Sequence, residues 1–158
     1  MGDLRGLFER LGYEDVQTYI LSGNVVFRTA GRPAVLEKTI EKRIQRDLGL
    51  TIRVLVRSAA EMKKIAGANP FAGRKVDPST LHVNFLADKP AAAAVKGIDG
   101  AAFAPDELAV VGREVFLHCP NGYGRSKLSN AFFEKKLATA GTTRNWKTVS
   151  KLCELTQG

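Results

Sequence analysis

The chain has 158 residues, 44% of them hydrophobic and 25% charged, with a formal net charge of +8. That length and balance suit one globular domain, or two small lobes sharing an interface, with enough apolar residues to form a core. No apolar run approaches the roughly 18–20 residues of a membrane span, and Met1-Gly2-Asp3-Leu4 lacks the basic and apolar regions of a secretory signal, so a cytoplasmic protein is expected.

In chain order, Asp3 can cap a short helix whose apolar positions Leu4, Leu7, Phe8 and Leu11 share one face, with Gly12 ending it. Val16 to Ile20 and Asn24 to Arg28 read as a hairpin around Ser22-Gly23, where Ser22 and Asn24 are turn formers by default. Pro33 opens a helix carrying Leu36, Ile40, Ile44 and Leu48 on one side, and Gly49 closes it. Thr51 to Arg57 alternates, with Ile52, Val54 and Val56 against Arg53 and Arg57, and predicts a strand. The order α-β-β-α-β is a ferredoxin-like unit without its first strand.

Ser58 caps a helix to about Ala66. Residues 67–79, with Asn69-Pro70, Gly73 and Asp77-Pro78, form an irregular connection and the expected lobe boundary, separating a 1–66 lobe from an 80–158 lobe. Thr80 to Leu86 is a strand, Pro90 opens an alanine-rich helix ending near Gly97, and Leu108–Val111 pairs with Val115–His118 around Gly112-Arg113. A helix with Leu128, Phe132, Phe133 and Leu137 follows. The second half therefore repeats the grammar of the first. The expected fold is α+β, an α/β sandwich of two ferredoxin-like βαββα(β) lobes. A last helix from about Thr143 to Leu155 turns Trp146, Val149, Leu152 and Cys153 inward, with Trp146 a core anchor rather than a stacking platform.

The charge concentrates late in the chain. From Cys119 to Lys151 stand seven basic residues, Arg125, Lys127, Lys135, Lys136, Arg144, Lys147 and Lys151, against Glu134 alone. Two stretches, Asn121-Gly122-Tyr123-Gly124-Arg125-Ser126-Lys127 and Thr142-Thr143-Arg144-Asn145-Trp146-Lys147, read as loops entering helices with cations in the first turn. That is the wrong sign for the helix dipole by about 0.3–1 kcal/mol. Consecutive N–H groups along Asn121-Gly122-Tyr123-Gly124 can form an anion-cradling nest. Arg125 adds a bidentate donor, Lys127 a mobile charge, and Ser126 and Ser129 hydroxyls. Thr143, Arg144, Asn145 and Lys147 repeat that chemistry, so two facing helix starts would make one anion site. The competing reading is that the glycines make the turn, Ser126 caps the helix and the cations are solvated.

No Walker or Rossmann glycine pattern occurs. Cys119 and Cys153 lack CxxC spacing and are expected to be free thiols, Cys119 buried and inert. His82 and His118 read as sheet histidines. No metal, no cofactor and no recognisable catalytic motif is expected. The preferred reading is a protein that binds an anionic ligand, nucleic acid or a phosphorylated small molecule. The alternatives are an enzyme acting on a phosphate- or carboxylate-bearing metabolite, and an interaction module for an acidic partner.

Tyr19-Ile20-Leu21-Ser22-Gly23-Asn24-Val25-Val26-Phe27, the Asn121–Lys127 run and Thr142 to Val149 resemble the bacterial domain-of-unknown-function 1697 family. The resemblance implies a cytoplasmic α/β protein of two ferredoxin-like lobes with no established activity. It marks Ser22, Gly23, Asn24, Arg125, Ser126, Lys127, Thr143, Arg144, Asn145 and Trp146 as characteristic without assigning roles, with Ser22 and Asn24 as possible additions to the site. Family members usually begin with an additional strand and a glycine-containing loop before a methionine matching Met1. Their absence implies a truncated or misassigned start, or a lost edge strand, and it would expose a strand edge.

Overall fold

A computed structural model of the chain describes residues 2–19 and 23–157. The chain divides into two compact units, Met1–Met62 with Leu152–Gly158, and Lys63–Lys151.

The first unit begins with α1 (Gly2–Arg10), so Asp3 lies inside the helix instead of capping it from outside. The strands β1 (Glu14–Tyr19) and β2 (Asn24–Arg28) then pair antiparallel. The expected turn residue Ser22 lies outside the described residues, as do Ile20 and Leu21. The helix α2 (Pro33–Leu48) starts on its proline and buries Leu36, Ile40 and Ile44. Gly49 stops it at φ 68°, its N–H donating to the Gln45 carbonyl at 2.9 Å, a left-handed cap that suits glycine. Both helices press on one apolar cluster of Leu7, Phe8, Val16, Leu36, Ile40 and Ile44, joined by Val25, Phe27, Val54 and Val56. Within it Phe27 stacks on Tyr13 at 4.8 Å and meets Phe8 edge-on at 5.1 Å.

Thr51–Arg57 forms no strand ladder among the described residues, contrary to its alternating pattern. Alternation makes a segment fit for a sheet, but a strand exists only where a neighbour accepts its hydrogen bonds.

Next comes α3 (Ala59–Ala68), entered through a reciprocal cap: Ser58 Oγ accepts from Glu61 N at 3.1 Å and Glu61 Oε1 from Ser58 N at 2.9 Å.

The second unit contains β3 (Leu81–Leu86), α4 (Ala92–Lys96), β4 (Glu107–Val111), β5 (Glu114–His118), α5 (Asn130–Leu137) and β6 (Gly141–Asn145). The sheet order is β4-β5-β3-β6, antiparallel throughout. This is the complete ferredoxin-like β-α-β-β-α-β unit. Its core joins Leu86, Val115, Leu117, Cys119, Leu128, Phe133 and Leu137, with Ala94 and Val95 of α4 and Leu108 and Val110 of β4 against it. One face of the sheet thus carries both helices. The final helix, α6, is Trp146–Gln157.

Two expectations change here. The helix expected from Thr143 begins only at Trp146, because Gly141–Asn145 is a strand paired along β3. The helix expected directly after the Asn121 loop begins at Asn130, capped by Ser129 Oγ, which accepts from Phe132 N at 3.2 Å. Its cations Lys135 and Lys136 stand in the last turn, where the dipole favours them.

Candidate functional site

The loop between β5 and α5 is built from turns that use three of its own backbone donors. Gly122 N donates to the Cys119 carbonyl at 3.0 Å, Arg125 N to that of Gly122 at 3.3 Å, and Ser126 N to that of Tyr123 at 3.0 Å. Gly122 takes φ +97°, a conformation strained for any residue with a Cβ, while Gly124 sits in a 3-10 turn over Tyr123–Arg125 without positive φ. Of the N–H groups expected to form a nest, turn closure takes that of Gly122.

The hydroxyls are engaged as well. Ser126 Oγ donates to Asp106 Oδ2 at 2.8 Å and accepts from Leu128 N at 3.0 Å. Asn145 Oδ1 accepts from Thr148 N at 2.8 Å and so caps α6. Thr143 Oγ1 accepts from Tyr123 OH at 3.1 Å and from Asn84 Nδ2 at 2.7 Å. That contact brings the two basic stretches together, through a phenol and a threonine.

The two arginines are placed differently. In the β3–β6 register Asn84 faces Thr143 and Val83 faces Arg144. Directly opposed residues share a sheet face and neighbours alternate, so Arg144 lies on the face away from Thr143 and Tyr123. Its Nη1 donates to Thr142 Oγ1 at 2.8 Å and to the Thr143 carbonyl at 3.0 Å, and burial pulls its pKa down. Asn121, Gly122, Gly124, Arg125, Lys127 and Lys147 are all exposed. Among the described residues Arg125, Lys127, Lys135, Lys136 and Lys147 make no ion pair. Arg5, Arg10, Arg28, Arg43 and Arg74, by contrast, each meet a carboxylate. Asn24 is buried in the first unit, its Nδ2 donating to the Tyr19 carbonyl at 3.3 Å, and serves the hairpin.

A polar cluster that the sequence reading did not single out lies beneath the loop. Asn84, fully buried on β3, donates to Asn130 Oδ1 at 2.8 Å as well as to Thr143. Asn130 Nδ2 donates to Glu134 Oε1 at 3.2 Å, and Glu134 Oε2 accepts from Gly141 N at 3.3 Å. His82, on the same face of β3, stacks on Tyr123 at 4.6 Å, and burial lowers its pKa. His82 Nδ1 and Asn84 Oδ1 are buried without a partner among the described residues. The available signal was alternation: two polar residues on one face of a strand whose other face, Leu81, Val83 and Phe85, is apolar.

Cys119 is fully buried, and burial raises its pKa against a hydrogen bond to Ser126 that lowers it. Both cysteines are free. We expect a thiol reagent at pH 8 to modify half-buried Cys153 first, with Cys119 slower by about a hundredfold or more because its labelling requires opening of the fold. Equal rates would contradict this burial. No group of His, Cys, Asp or Glu among the described residues could hold a metal ion, and none of their helices is long and apolar enough to cross a membrane.

The model of one family, described as a protein of unknown function (DUF1697), matches residues 1–116. The chain belongs to this family. The matched residues end before the Asn121 loop and β6. Among solved structures, a conserved bacterial protein from Streptococcus pneumoniae is similar at 20% identity and a TM-score of 0.75, over 99% of this chain and 88% of that one. That likeness extends the shared fold across essentially the whole chain. No curated protein matches it.

Proposed function

We propose that this protein is a cytoplasmic phosphate-binding protein whose second unit holds an anionic ligand, nucleic acid ahead of a phosphorylated small molecule. The observation that carries this reading is the set of exposed cations Arg125, Lys127 and Lys147, none ion-paired among the described residues, in a unit where Tyr123 ties the loop to β6. Lys135 and Lys136 are accounted for by the α5 dipole, but Lys147 stands in the first turn of α6, where a cation is unfavourable without an anion nearby. Nucleic acid is favoured because the cations stand on long exposed side chains, which suit contacts along a phosphate backbone better than an enclosed cradle.

Anisotropy with labelled single-stranded DNA, duplex DNA and RNA tests this. Three phosphate contacts predict that log K falls by about 2–3 per tenfold rise in salt, and that the joint replacement of Arg125, Lys127 and Lys147 by alanine nearly abolishes this slope. Absence of binding at low salt would sink the nucleic-acid reading.

The unpartnered His82 Nδ1 and Asn84 Oδ1 favour a second reading, an enzyme acting on a phosphate- or carboxylate-bearing metabolite. A saturable thermal shift with one compound class, insensitive to moderate salt and lost in His82→Phe, would select it. A panel with no shift excludes it.

A further inference from the structure

The sheet of the second unit ends in two edges, β4 and β6, that are finished differently. Cys119 N donates to the Thr80 carbonyl and Leu86 N to that of Arg113, both at 2.8 Å, at the two ends of the β3–β5 pairing. Odd-numbered residues of β5 therefore bond to β3 and even-numbered ones to β4. Through the β4–β5 register, Glu107, Ala109 and Val111 spend their backbone groups on β5. Leu108 and Val110 turn theirs outward, where neither meets a partner among the described residues.

At the far edge Ala87 N donates to the Ala140 carbonyl at 2.8 Å, and the same alternation leaves Gly141 and Thr143 of β6 facing out. Side chains close that edge. Glu134 Oε2 accepts from Gly141 N at 3.3 Å, and Arg144 Nη1 donates to the Thr143 carbonyl at 3.0 Å. The β4 edge has no such closure. It holds no lysine, proline or bulge, the usual guards of an edge strand. Its carboxylate, Glu107, is held within the chain by Arg74 at 2.8 and 3.0 Å and by His118 at 3.1 Å.

The geometry points to this edge as a contact between two copies of the chain, β4 of each pairing antiparallel with β4 of the other about a two-fold axis through Ala109. Leu108 of each copy then exchanges both its outward backbone bonds with Val110 of the other. Self-complementarity selects a second copy over a foreign peptide. Leu108 and Val110 pack against the core but stay half-buried, whereas Leu117 and Val115 beside them are fully buried. The same two residues of the second copy extend that apolar face. Ala109 meets its own counterpart on the axis, a side chain small enough for the close, non-hydrogen-bonded pair there. Glu107 falls opposite Val111, which is 42% exposed, so no like charges oppose one another. Although the chain is strongly basic, the acidic start of each strand, Asp106 and Glu107, lies beside the Gly112-Arg113 turn of the other copy.

Sedimentation velocity of the full chain across the micromolar range, at about 0.15 M salt to screen the net charge, tests this. A concentration-dependent shift towards twice the 17.2 kDa of one chain is expected. Amide exchange should slow with concentration at Leu108 and Val110, while Ala109 and Val111, already bonded to β5, change little. Val110→Pro removes an outward donor and spares the β5 ladder, and should weaken association by about tenfold or more. Val111→Glu should do the same by setting like charges opposite each other in both halves of the contact, whereas Val111→Lys should not. Both Val111 variants change an exposed side chain, so they decide the matter even where Val110→Pro unfolds. Several results overturn the proposal: a chain that stays monomeric, a dimer protected at Asn24–Arg28 or Gly141–Asn145 instead, equal association of the two Val111 variants, or a folded Val110→Pro that associates as wild type does.

Discussion

Asn84→Asp is expected to destabilise the protein by about 3–5 kcal/mol at pH 7, the range for leaving an uncompensated charge inside a fold. Asn84 is fully buried on the central strand, and its amide donates to Asn130 and Thr143. The substitution keeps the shape, removes both donors and sets a carboxylate against the Asn130 carbonyl oxygen. Burial raises the folded-state pKa of the new carboxyl above its unfolded value of about 3.9. The form compatible with folding is therefore fully present below the unfolded pKa and lost as pH rises through the folded one. Urea titrations at pH 4.5 and pH 7 should show the variant closing much of its gap to wild type on acidification. The wild-type contribution of His82 has the opposite sign. Its folded pKa is lowered from 6.5 by burial, so its contribution is present above 6.5 and is lost as pH falls through the folded value. A variant with the same deficit at both pH values would show that Asn84 is not in a dry interior.

Phe133→Ala should cost about 3–5 kcal/mol, combining the lost transfer energy of the ring with the cavity left behind. Phe133 is fully buried at the centre of the second unit's core and meets Phe132 edge-on at 5.2 Å. Packed neighbours relax only partly into such a hole. Val111→Ala, at a position 42% exposed on the same sheet, should stay within about 0.5 kcal/mol. Denaturant midpoints of the two variants decide the matter. Similar midpoints would mean that α5 is not docked on the sheet as described.

These two sites differ in how far local pattern reveals them. The aromatic at 133 stands at helical spacing from Leu137, within a helix the local pattern shows. Asn84 is conspicuous only once β6 lies beside β3, because its hydrogen-bond partners come from residues 46 and 59 positions further along the chain. The basic residues were visible as a cluster. What the local pattern could not show is that the β3–β6 register turns Arg144 away from Tyr123.

The sharpest contrast is between Thr51–Arg57 and Gly141–Asn145. The first has the alternation of a strand and no ladder; the second is short and polar, and forms one along its whole length. Periodicity, proline starts and glycine stops were enough to place α2, β3 and the β4–β5 hairpin, because those signals act within a few residues of where they are written. Tertiary structure alone decided which extended segments became strands and which cations stayed exposed and unpaired. A strand is completed by its neighbour's hydrogen bonds, and a charge is neutralised by whatever the fold brings within reach.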